Sequence, residues 1–329
     1  MTYQALVVFE EEKKFVRRIV ARKLDDLPPG DVLIRVQHSS LNYKDALSAT
    51  GNKGITRNFP HTPGIDAAGI VETSNNGLFE KGEEVLVTGY DLGMNTSGGY
   101  SEFIRVPAEW VIKKPANLSL KECMIIGTAG FTAATALYKL QCMGQSPEMG
   151  PLVVTGSTGG VGSLAVALLS KAGFDVIAVT GKKEVDAYLT FLGAKQIKSR
   201  EFVSDLSGKA LIKPNWAGGI DTTGGTILET LLKGCMREGN IVSTGLVLSP
   251  QLSLSVYPFI LNGVSLLGVG SAGTPMPVRQ IIWKKLAGEW NIQSKLSSIV
   301  IEATLQELNE RYIDEILSGK IKGRVVVKI

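Results

Sequence analysis

The stretch LVVTGSTGGVGSLAVALL, residues 152–169, decides the fold of the chain. An apolar run of the β type enters a glycine-rich turn and leaves it as a helix of small residues, which is the context that a dinucleotide-binding turn requires. Gly159 and Gly160 let the backbone approach a pyrophosphate, and Gly162 lets the helix lie close to its strand. Free N–H groups at the helix start then bind the anion. The predicted contact residues in the turn are Ser157, Thr158, Gly159, Gly160, Val161 and Gly162.

The turn departs from the usual G-x-G-x-x-G pattern in one position. Ser157 stands where the first glycine is expected, and Gly156 comes one residue early. A second apolar run, residues 175–179, follows at the distance that a βαβ unit requires. We therefore interpret the stretch as a dinucleotide site; the alternative is an ordinary turn from strand to helix.

The second apolar run ends in Thr180-Gly181-Lys182-Lys183, where a protein that binds NAD would carry Asp or Glu. A carboxylate there accepts hydrogen bonds from the ribose hydroxyls and repels a 2′-phosphate, whereas a cation attracts the phosphate. We therefore predict NADPH as the cofactor, with Lys182 as the main partner of the 2′-phosphate and Thr180 and Gly181 beside it. In the alternative interpretation the two lysines are solvated surface residues.

The composition is typical of a globular enzyme of two domains: 329 residues, 44% hydrophobic and 20% charged. The net charge of +4 is too small and too dispersed to indicate nucleic-acid binding. Cys123, Cys142 and Cys235 are spaced too irregularly for a disulfide framework or a zinc knuckle. Acidic residues at 10–12 precede any long apolar run and no segment approaches membrane-spanning length, so we expect a cytoplasmic protein without a membrane partner.

Three segments differ in their patterns. Residues 1–122 carry short β-type runs between turns and predict a compact, barrel-like β domain, the substrate domain. Residues 123–270 alternate between helix and strand, which predicts an α/β domain with a parallel sheet, the Rossmann domain. In the return segment, residues 271–329, two helices precede a strand at 324–329 that we expect to rejoin the first sheet, making that domain discontinuous. The predicted strands of the first segment are 3–8, 32–37, 67–72, 84–88, 100–106 and 110–113, and those of the second include 219–222, 241–244 and 264–269.

Several motifs together resemble the medium-chain dehydrogenase/reductase superfamily, and within it the zinc-free, quinone-oxidoreductase-like YhdH/YhfP group. These motifs are SSLNYKDAL at 39–47, NFP at 58–60, PGID at 63–66, IIGTAGFTA at 125–133 and PFIL at 258–261. The resemblance implies a GroES-like β domain and a Rossmann domain, with the active site in the cleft between them. It also implies NADPH-dependent reduction of acryloyl-coenzyme A, and homodimers in which the strand at 264–269 pairs with its symmetry mate.

The resemblance adds cofactor contacts outside the glycine turn. Arg200 is similar to the family's contact with the adenosine phosphate, and Leu246, Ile260 and Ser271 fall where relatives surround the nicotinamide. Tyr43 and Thr128 complete the predicted cofactor residues. The alternatives are an exposed cation at 200 and ordinary core packing for Leu246 and Ile260.

The resemblance argues against a metal. Zinc-dependent relatives carry a cysteine where this chain has Asn42, and Gly-His-Glu where it has Gly64-Ile65-Asp66. An isoleucine cannot ligate zinc, which needs three or four N, S or O ligands. The four-cysteine structural lobe of those relatives is absent too.

Without a Lewis acid, the substrate should be a small molecule with an electrophilic alkene conjugated to a thioester or ketone. Hydride transfer to the β carbon gives an enolate, which needs fixed hydrogen-bond donors and then a proton at the α carbon. The candidate catalytic residues are Asn42, as a donor to the oxyanion, Tyr43, as a proton source beside water, and Asp66. The alternatives are a turn-forming Asn42, a packing Tyr43 and an Asp66 that binds local N–H groups.

Two other functions stay open from the sequence. A quinone reductase would use the same cofactor site, and a structural or sensing protein could bind NADPH without turnover. The glycine turn alone does not distinguish among the three.

Overall fold

The computed structural model describes residues 1–329, which divide into two compact units. The first unit comprises residues 1–128, 272–287 and 299–329, and the second comprises residues 129–271 and 288–298. The predicted boundaries at 122 and 270 lie within a few residues of this division. Residues 288–298 group with the second unit, whereas the prediction placed them in the return segment of the first domain.

The first unit is built mainly of antiparallel strands. A ribbon of β1 and β2 stands apart from a seven-stranded sheet in the order β14-β15-β3-β4-β5-β7, with β6 paired to β3. The strands are β1 (Thr2–Glu11), β2 (Lys14–Lys23), β3 (Val32–Leu41), β4 (Asp66–Ser74), β5 (Glu84–Thr88), β6 (Phe103–Val106), β7 (Ile112–Lys113), β14 (Val300–Thr304) and β15 (Arg324–Lys328). Because β15 runs antiparallel to β3, the prediction that the last strand rejoins the first sheet is confirmed.

Strands β2 and β14 were not predicted. β2 carries five Lys or Arg residues in ten and is half-buried along most of its length, so it shows no clear alternation of polar and apolar positions. Polar and apolar residues do not alternate clearly in β14 either, and this strand is held in the sheet by parallel pairing with β15. β2 pairs with the neighbouring strand β1 and β14 pairs with β15, so strand pairing stabilises both, and the pattern within each strand does not reveal it.

The second unit contains a six-stranded parallel sheet in the order β10-β9-β8-β11-β12-β13. Numbered from its own first strand, this order is 3-2-1-4-5-6, the order of dinucleotide-binding folds. The strands are β8 (Leu152–Val154), β9 (Val176–Val179), β10 (Ala194–Lys198), β11 (Trp216–Asp221), β12 (Cys235–Ser243) and β13 (Ser265–Gly268). The predicted α/β architecture of this segment is confirmed.

Helices connect the strands and complete both units. They are α1 (Tyr43–Ala49), α2 (Leu120–Cys142), α3 (Gly160–Lys171), α4 (Asp186–Leu192), α5 (Gly225–Lys233), α6 (Tyr257–Asn262), α7 (Met276–Ala287), α8 (Gln293–Ile299), α9 (Leu305–Glu307) and α10 (Ile313–Leu317), with a π-helical turn at Leu308–Tyr312 between the last two. A buried apolar cluster lies on one face of the parallel sheet and includes Val153, Ile177, Trp216, Leu231 and Ile241.

Helix α2 corrects one expectation. The helix has 23 residues, and its most apolar window of 18 has a mean hydropathy of 1.3, enough by length and composition to cross a membrane, although no segment was expected to reach that length. The most apolar part of α2 is 83% buried inside the protein, and Gly127 interrupts the helical backbone at φ 48°, ψ −157°. Burial of this kind is typical of a core helix.

Candidate active site

In the glycine turn of the second unit, the backbone at Gly162 packs against the backbone at Gly156 so closely that a side chain does not fit between them. Gly156 has a φ of +57°, in the left-handed region that favours glycine. A Cβ atom at Gly162 would lie 2.2 Å from the carbonyl oxygen of Gly156, so no larger residue fits there without a backbone shift. At Gly159 the nearest such atom is 3.3 Å away, which leaves more room. The turn therefore fits the close approach that a pyrophosphate requires.

The start of helix α3 is open to an anion. Gly159 is its N-cap residue and supplies no side-chain hydrogen bond, so the N–H groups of the first turn are not satisfied by a cap. Gly159, Gly160 and Val161 are all partly exposed. Unsatisfied, accessible N–H groups at a helix start are the elements of a phosphate site.

The hydroxyl groups around the turn hold it together. Ser157 is fully buried, and its Oγ lies 2.8 Å from the carbonyl oxygens of both Val154 and Val179, joining β8 to β9. The Oγ1 atoms of Thr158 and Thr180 lie 3.2 Å apart, and both residues are buried. Ser157 therefore uses its side chain inside the protein, and its backbone N–H donates to the carbonyl of Val179 at 3.1 Å, so its contact with a cofactor stays a prediction.

The cations predicted to bind the 2′-phosphate lie at the ends of β9 and β10. The backbone N–H of Lys182 donates to Thr180 Oγ1 at 3.1 Å, which fixes the path of the chain after β9. The Arg200 guanidinium lies directly over Gly181, because a Cβ atom there would be 2.5 Å from Arg200 Nε. Arg200 is exposed and Lys182 is partly exposed, so both charges can reach a ligand. The structure brings Gly181 and Arg200 together.

A buried aspartate fixes the crevice between β8 and β11, where the strand order reverses. Asp221, with no exposed surface, accepts hydrogen bonds from Thr155 Oγ1 at 2.6 Å and from the Gly224 N–H at 2.7 Å. Thr223 donates to the same carboxylate through its Oγ1 at 2.6 Å. Ligands of open α/β sheets bind at this crevice, so Asp221 stabilises its floor.

Two apolar residues that are predicted to surround the nicotinamide lie on the protein surface. Leu246 is 63% exposed and Ile260 is 67% exposed, so neither is the core residue of the alternative interpretation. Ser271 is partly exposed. An exposed leucine and isoleucine are available to cover a ligand or a second protein chain.

In the first unit, the Asp66 carboxylate is the centre of a buried hydrogen-bond network. Asp66 has no exposed surface and accepts from Ser40 Oγ at 2.6 Å and from Asn42 Nδ2 at 2.8 Å. Thr128 donates to it through both the backbone N–H, at 3.0 Å, and Oγ1, at 2.6 Å. A carboxylate whose oxygens are filled by donors has no lone pair left for a substrate proton. These partners fit the alternative interpretation, in which Asp66 binds local donors, and its direct catalytic role stays a prediction.

Asn42 is the N-cap residue of helix α1, and its amide is committed to the same network. Besides Asp66, Nδ2 donates to Asp45 Oδ2 at 3.2 Å, and the Asn42 N–H donates to that oxygen at 2.8 Å. Both amide hydrogens are therefore used inside the protein, which argues against the predicted hydrogen bond from Asn42 to an oxyanion. The adjoining Tyr43 is 43% exposed and is the predicted catalytic residue that can contact a ligand.

Arg324 supplies the positive charge of the network from the last strand. It is 3% exposed, and its Nη1 donates to the carbonyl of Leu41 at 3.0 Å and to Asn42 Oδ1 at 3.1 Å. Its Nη2 lies 3.6 Å from Asp66 Oδ2, an ion pair within the protein interior. Burial lowers the pKa of the guanidinium from its ordinary value, and the two carboxylates oppose that change. One cation therefore balances two acidic groups.

Asp45 carries the second acidic group. Burial, and then the nearby charge of Asp66, raise the pKa of Asp45 to about 7, against the opposing effect of hydrogen bonds from Asn42 and Ile65. Arg324, Ser40 and Asp45 were not among the predicted site residues; the only signal for Asp45 was its place in the SSLNYKDAL motif.

The residues at the zinc positions do not fit a zinc ion. Asn42 uses its amide as described, and Ile65 is an apolar residue that is 4% exposed. No group of three or more His, Cys, Asp or Glu side chains in residues 1–329 is arranged to hold a metal ion. Neither Asn42 nor Ile65 therefore offers zinc a ligand at these positions.

Comparison with known proteins identifies the family. Residues 28–116 match the alcohol dehydrogenase GroES-like domain, and residues 160–287 match the zinc-binding dehydrogenase domain. The chain is 39% identical to the acrylyl-CoA reductase AcuI of Ruegeria pomeroyi over 99% of both chains. It belongs to the zinc-free YhdH/YhfP group of the medium-chain dehydrogenase/reductase superfamily. The resemblance seen in the sequence is thereby confirmed.

Solved structures of this group agree with the fold and differ in the bound dinucleotide. YhdH of Salmonella enterica in complex with NADP is 41% identical over 99% of both chains, with a TM-score of 0.96. YhfP of Bacillus subtilis with NAD bound is 43% identical over the full length of both chains, with a TM-score of 0.97. Members of the YhdH/YhfP group thus include structures with either dinucleotide, so the charges beside the adenosine ribose become the feature to examine in each chain.

Proposed function

We propose that the protein is an NADPH-dependent reductase of an α,β-unsaturated thioester, acting on acryloyl-coenzyme A to give propanoyl-coenzyme A. The observation that carries the choice of substrate is the similarity to acrylyl-CoA reductase AcuI along 99% of both chains. The cofactor choice rests on Lys182 and Arg200, since cations at the ends of these strands favour the 2′-phosphate of NADPH.

The second unit fits the dinucleotide by its backbone. The Gly156–Gly162 crossing leaves room for a pyrophosphate, and the uncapped N–H groups of α3 satisfy its oxygens. Lys182 and Arg200 would hold the 2′-phosphate, while Thr180 and Gly181 fix the backbone beside it. Leu246, Ile260 and Ser271 would enclose the nicotinamide, as in relatives of the group.

The bound nicotinamide supplies a hydride, which the β carbon of the substrate accepts. The electron pair of the C=C bond then moves toward the thioester carbonyl, and the resulting enolate takes a proton at its α carbon. Tyr43 is the candidate donor for this proton or for a hydrogen bond to the enolate oxygen, with water as the alternative source. Asn42, Asp66 and Arg324 hold the backbone and side chains around Tyr43 and do not contact the reacting atoms.

We further propose a homodimer in the cytoplasm. Strand β13 lies at the edge of the parallel sheet, and pairing with a second copy would cover its free N–H and C=O groups. Large apolar side chains are exposed near it in sequence: Leu246, Val247, Leu248, Val256, Ile260 and Leu261. Sedimentation of the purified protein tests the dimer. A single species at 35.2 kDa across micromolar concentrations would contradict it.

The function is tested by following NADPH oxidation with three acceptors: acryloyl-coenzyme A, a benzoquinone and a saturated acyl-coenzyme A. We expect rapid turnover with acryloyl-coenzyme A, and a value of kcat/KM at least tenfold higher than with the quinone. Preference for the quinone would instead support quinone reduction. Tight NADPH binding without turnover of any enal, enone, thioester or quinone would favour a structural or sensing role.

A further inference from the structure

Arg324 uses its whole guanidinium group inside the first unit. Nε donates to the carbonyl of Ile125 at 3.1 Å, and Nη2 donates to Ser40 Oγ at 2.7 Å, in addition to the bonds from Nη1 to Leu41 and Asn42. These acceptors belong to the end of strand β3, the N-cap of α1 and the first part of helix α2. A planar, five-donor fork is suited to joining several acceptors at once, and a lysine ammonium does not reproduce that geometry.

The break in helix α2 fits around the ion pair of Arg324 and Asp66. A Cβ atom at Gly127 would lie 2.6 Å from Asp66 Oδ2, 2.8 Å from Arg324 Nη2 and 2.8 Å from Ser40 Oγ. Gly127 adopts a φ of +48°, and the next residue, Thr128, donates to Asp66 from both its N–H and its Oγ1. Only glycine therefore fits at position 127. The hydrogen bonds from Thr128 to the Asp66 carboxylate fix the backbone that follows it.

Two residues at the edge of this network are candidate ligand contacts. Tyr43 directly follows Asn42 at the start of α1, and Thr128 is partly exposed beside Gly127. The two members of the ion pair hold one residue each. Arg324 bonds to Asn42, which precedes Tyr43 in the chain, and Asp66 accepts hydrogen bonds from Thr128. The separation between Tyr43 and Thr128 is therefore set by the buried side chains of Asn42, Asp66 and Arg324.

We propose that Arg324 is a positioning residue for the reduction, which fixes Tyr43 and Thr128 relative to each other through Asn42 and Asp66. This inference rests on the proposed function, because it assigns these two residues to the reacting site. The charge of Arg324 balances Asp66, and its hydrogen-bond geometry sets the start of α1. The two contributions can be separated by substitution.

The test uses three variants of the full chain and a control. Arg324→Lys keeps the charge and changes the geometry. Arg324→Met leaves Asp66 without its cation, and Arg324→Met combined with Asp66→Asn removes both charges. Val327→Ala is the control, because Val327 is fully buried in the apolar cluster on the same strand and makes no contact with the charged network. Melting temperature, NADPH affinity and kcat with acryloyl-coenzyme A are measured for each.

We expect Arg324→Met to lower the melting temperature, because an unpaired buried charge remains, and the double variant to recover most of that loss. The double variant should nevertheless keep a kcat about tenfold to a hundredfold below wild type, since small misplacements of a reacting group have effects of that size. Val327→Ala should lose melting temperature and keep kcat at a temperature where it is folded. Arg324→Lys should lower kcat more than it lowers the affinity for NADPH.

Hydrogen exchange of the protein without cofactor gives a readout independent of activity. Peptides that cover residues 40–45 and 125–130 should exchange faster in Arg324→Lys than in wild type, and should be unchanged in Val327→Ala. Recovery of both melting temperature and kcat in the double variant would overturn the proposal. A wild-type protein that does not turn over acryloyl-coenzyme A would instead contradict the proposed function, while the exchange result would still report on the positioning role.

Discussion

The glycine turn of the second unit and the Asp66 network of the first unit organise their surroundings by opposite means. The turn uses the absence of side chains: at Gly162 the backbone of Gly156 is too close for any Cβ atom. The network uses fully engaged side chains, with a carboxylate and a guanidinium that leave no donor or acceptor unused. The turn is therefore sensitive to added volume, and the network is sensitive to lost hydrogen bonds and charge.

The largest expected effect is at Gly162. Replacement by Val should destabilise the second unit by about 3 kcal/mol, the upper part of the range for overpacking, and abolish NADPH binding. Gly159→Ala is the control, because its Cβ would lie 3.3 Å from the nearest atom. Urea unfolding should give a free energy within about 1 kcal/mol of wild type for Gly159→Ala. Equal stability of the two variants would remove the steric explanation of the turn.

A smaller effect is expected where charge is exposed at the cofactor site. Lys182→Glu should weaken NADPH binding by about a hundredfold, since a charge-assisted hydrogen bond is replaced by repulsion, and should change NADH binding far less. Lys209→Glu is the control, because Lys209 is exposed and the change in net charge is the same. Calorimetric titration with both dinucleotides measures the ratio. If Lys182→Glu loses affinity for both dinucleotides equally, the assignment of the 2′-phosphate fails.

In the network, Asn42→Ala should lower the free energy of unfolding by about 2 kcal/mol. The helix loses its N-cap, and the donors of Arg324 and the acceptors of Asp66 lose a partner. Turnover should fall while NADPH affinity stays within about twofold of wild type, because the glycine turn is unchanged. Unaltered kcat in Asn42→Ala would show that the network is structural only.

A separate expected effect is the dependence of stability on pH through Asp45. Its pKa of about 7 in the folded protein lies above the ordinary value of 3.8, so between those values the folded state binds more protons than the unfolded state. Asp45 therefore favours folding at low pH, and that contribution is lost as the pH rises through 7. From pH 5 to pH 8 the unfolding free energy of wild type should fall more than that of Asp45→Asn. Parallel curves would contradict an Asp45 that titrates near neutrality.

The two regions also differ in how far the sequence predicts them. The glycine turn, its strand and helix, and the cation at 182 are set by neighbouring residues or by a single βαβ unit, so local patterns predict them, whereas Arg200 is predicted only from the resemblance to the family. The network joins Asn42 to Arg324 across 282 positions, and nothing in the pattern of strand β15 distinguishes Arg324 from an exposed cation. Its contacts follow from the pairing of β15 with β3, which the sequence predicted only as a strand that rejoins the sheet.

The candidate site shows the same division. The catalytic roles of Tyr43, Asn42 and Asp66 stay predictions from their motifs, and the hydrogen bonds of Asn42 and Asp66 to Ser40, Thr128 and Arg324 are not visible in a sequence. A buried polar residue in a motif is as consistent with a positioning role as with a catalytic one. The hydrogen-bond partners of the residue in the structure distinguish a positioning role from a catalytic one.

The account is tested most directly by following the hydride. Acryloyl-coenzyme A is incubated with the protein and NADPH that carries deuterium at C4, in separate samples for the two faces of the ring. The account predicts that one sample gives propanoyl-coenzyme A with a single deuterium at the β carbon, and that reaction in heavy water places solvent deuterium at the α carbon. Product without the label at the β carbon in both samples, or no product despite NADPH binding, would contradict hydride transfer to that carbon.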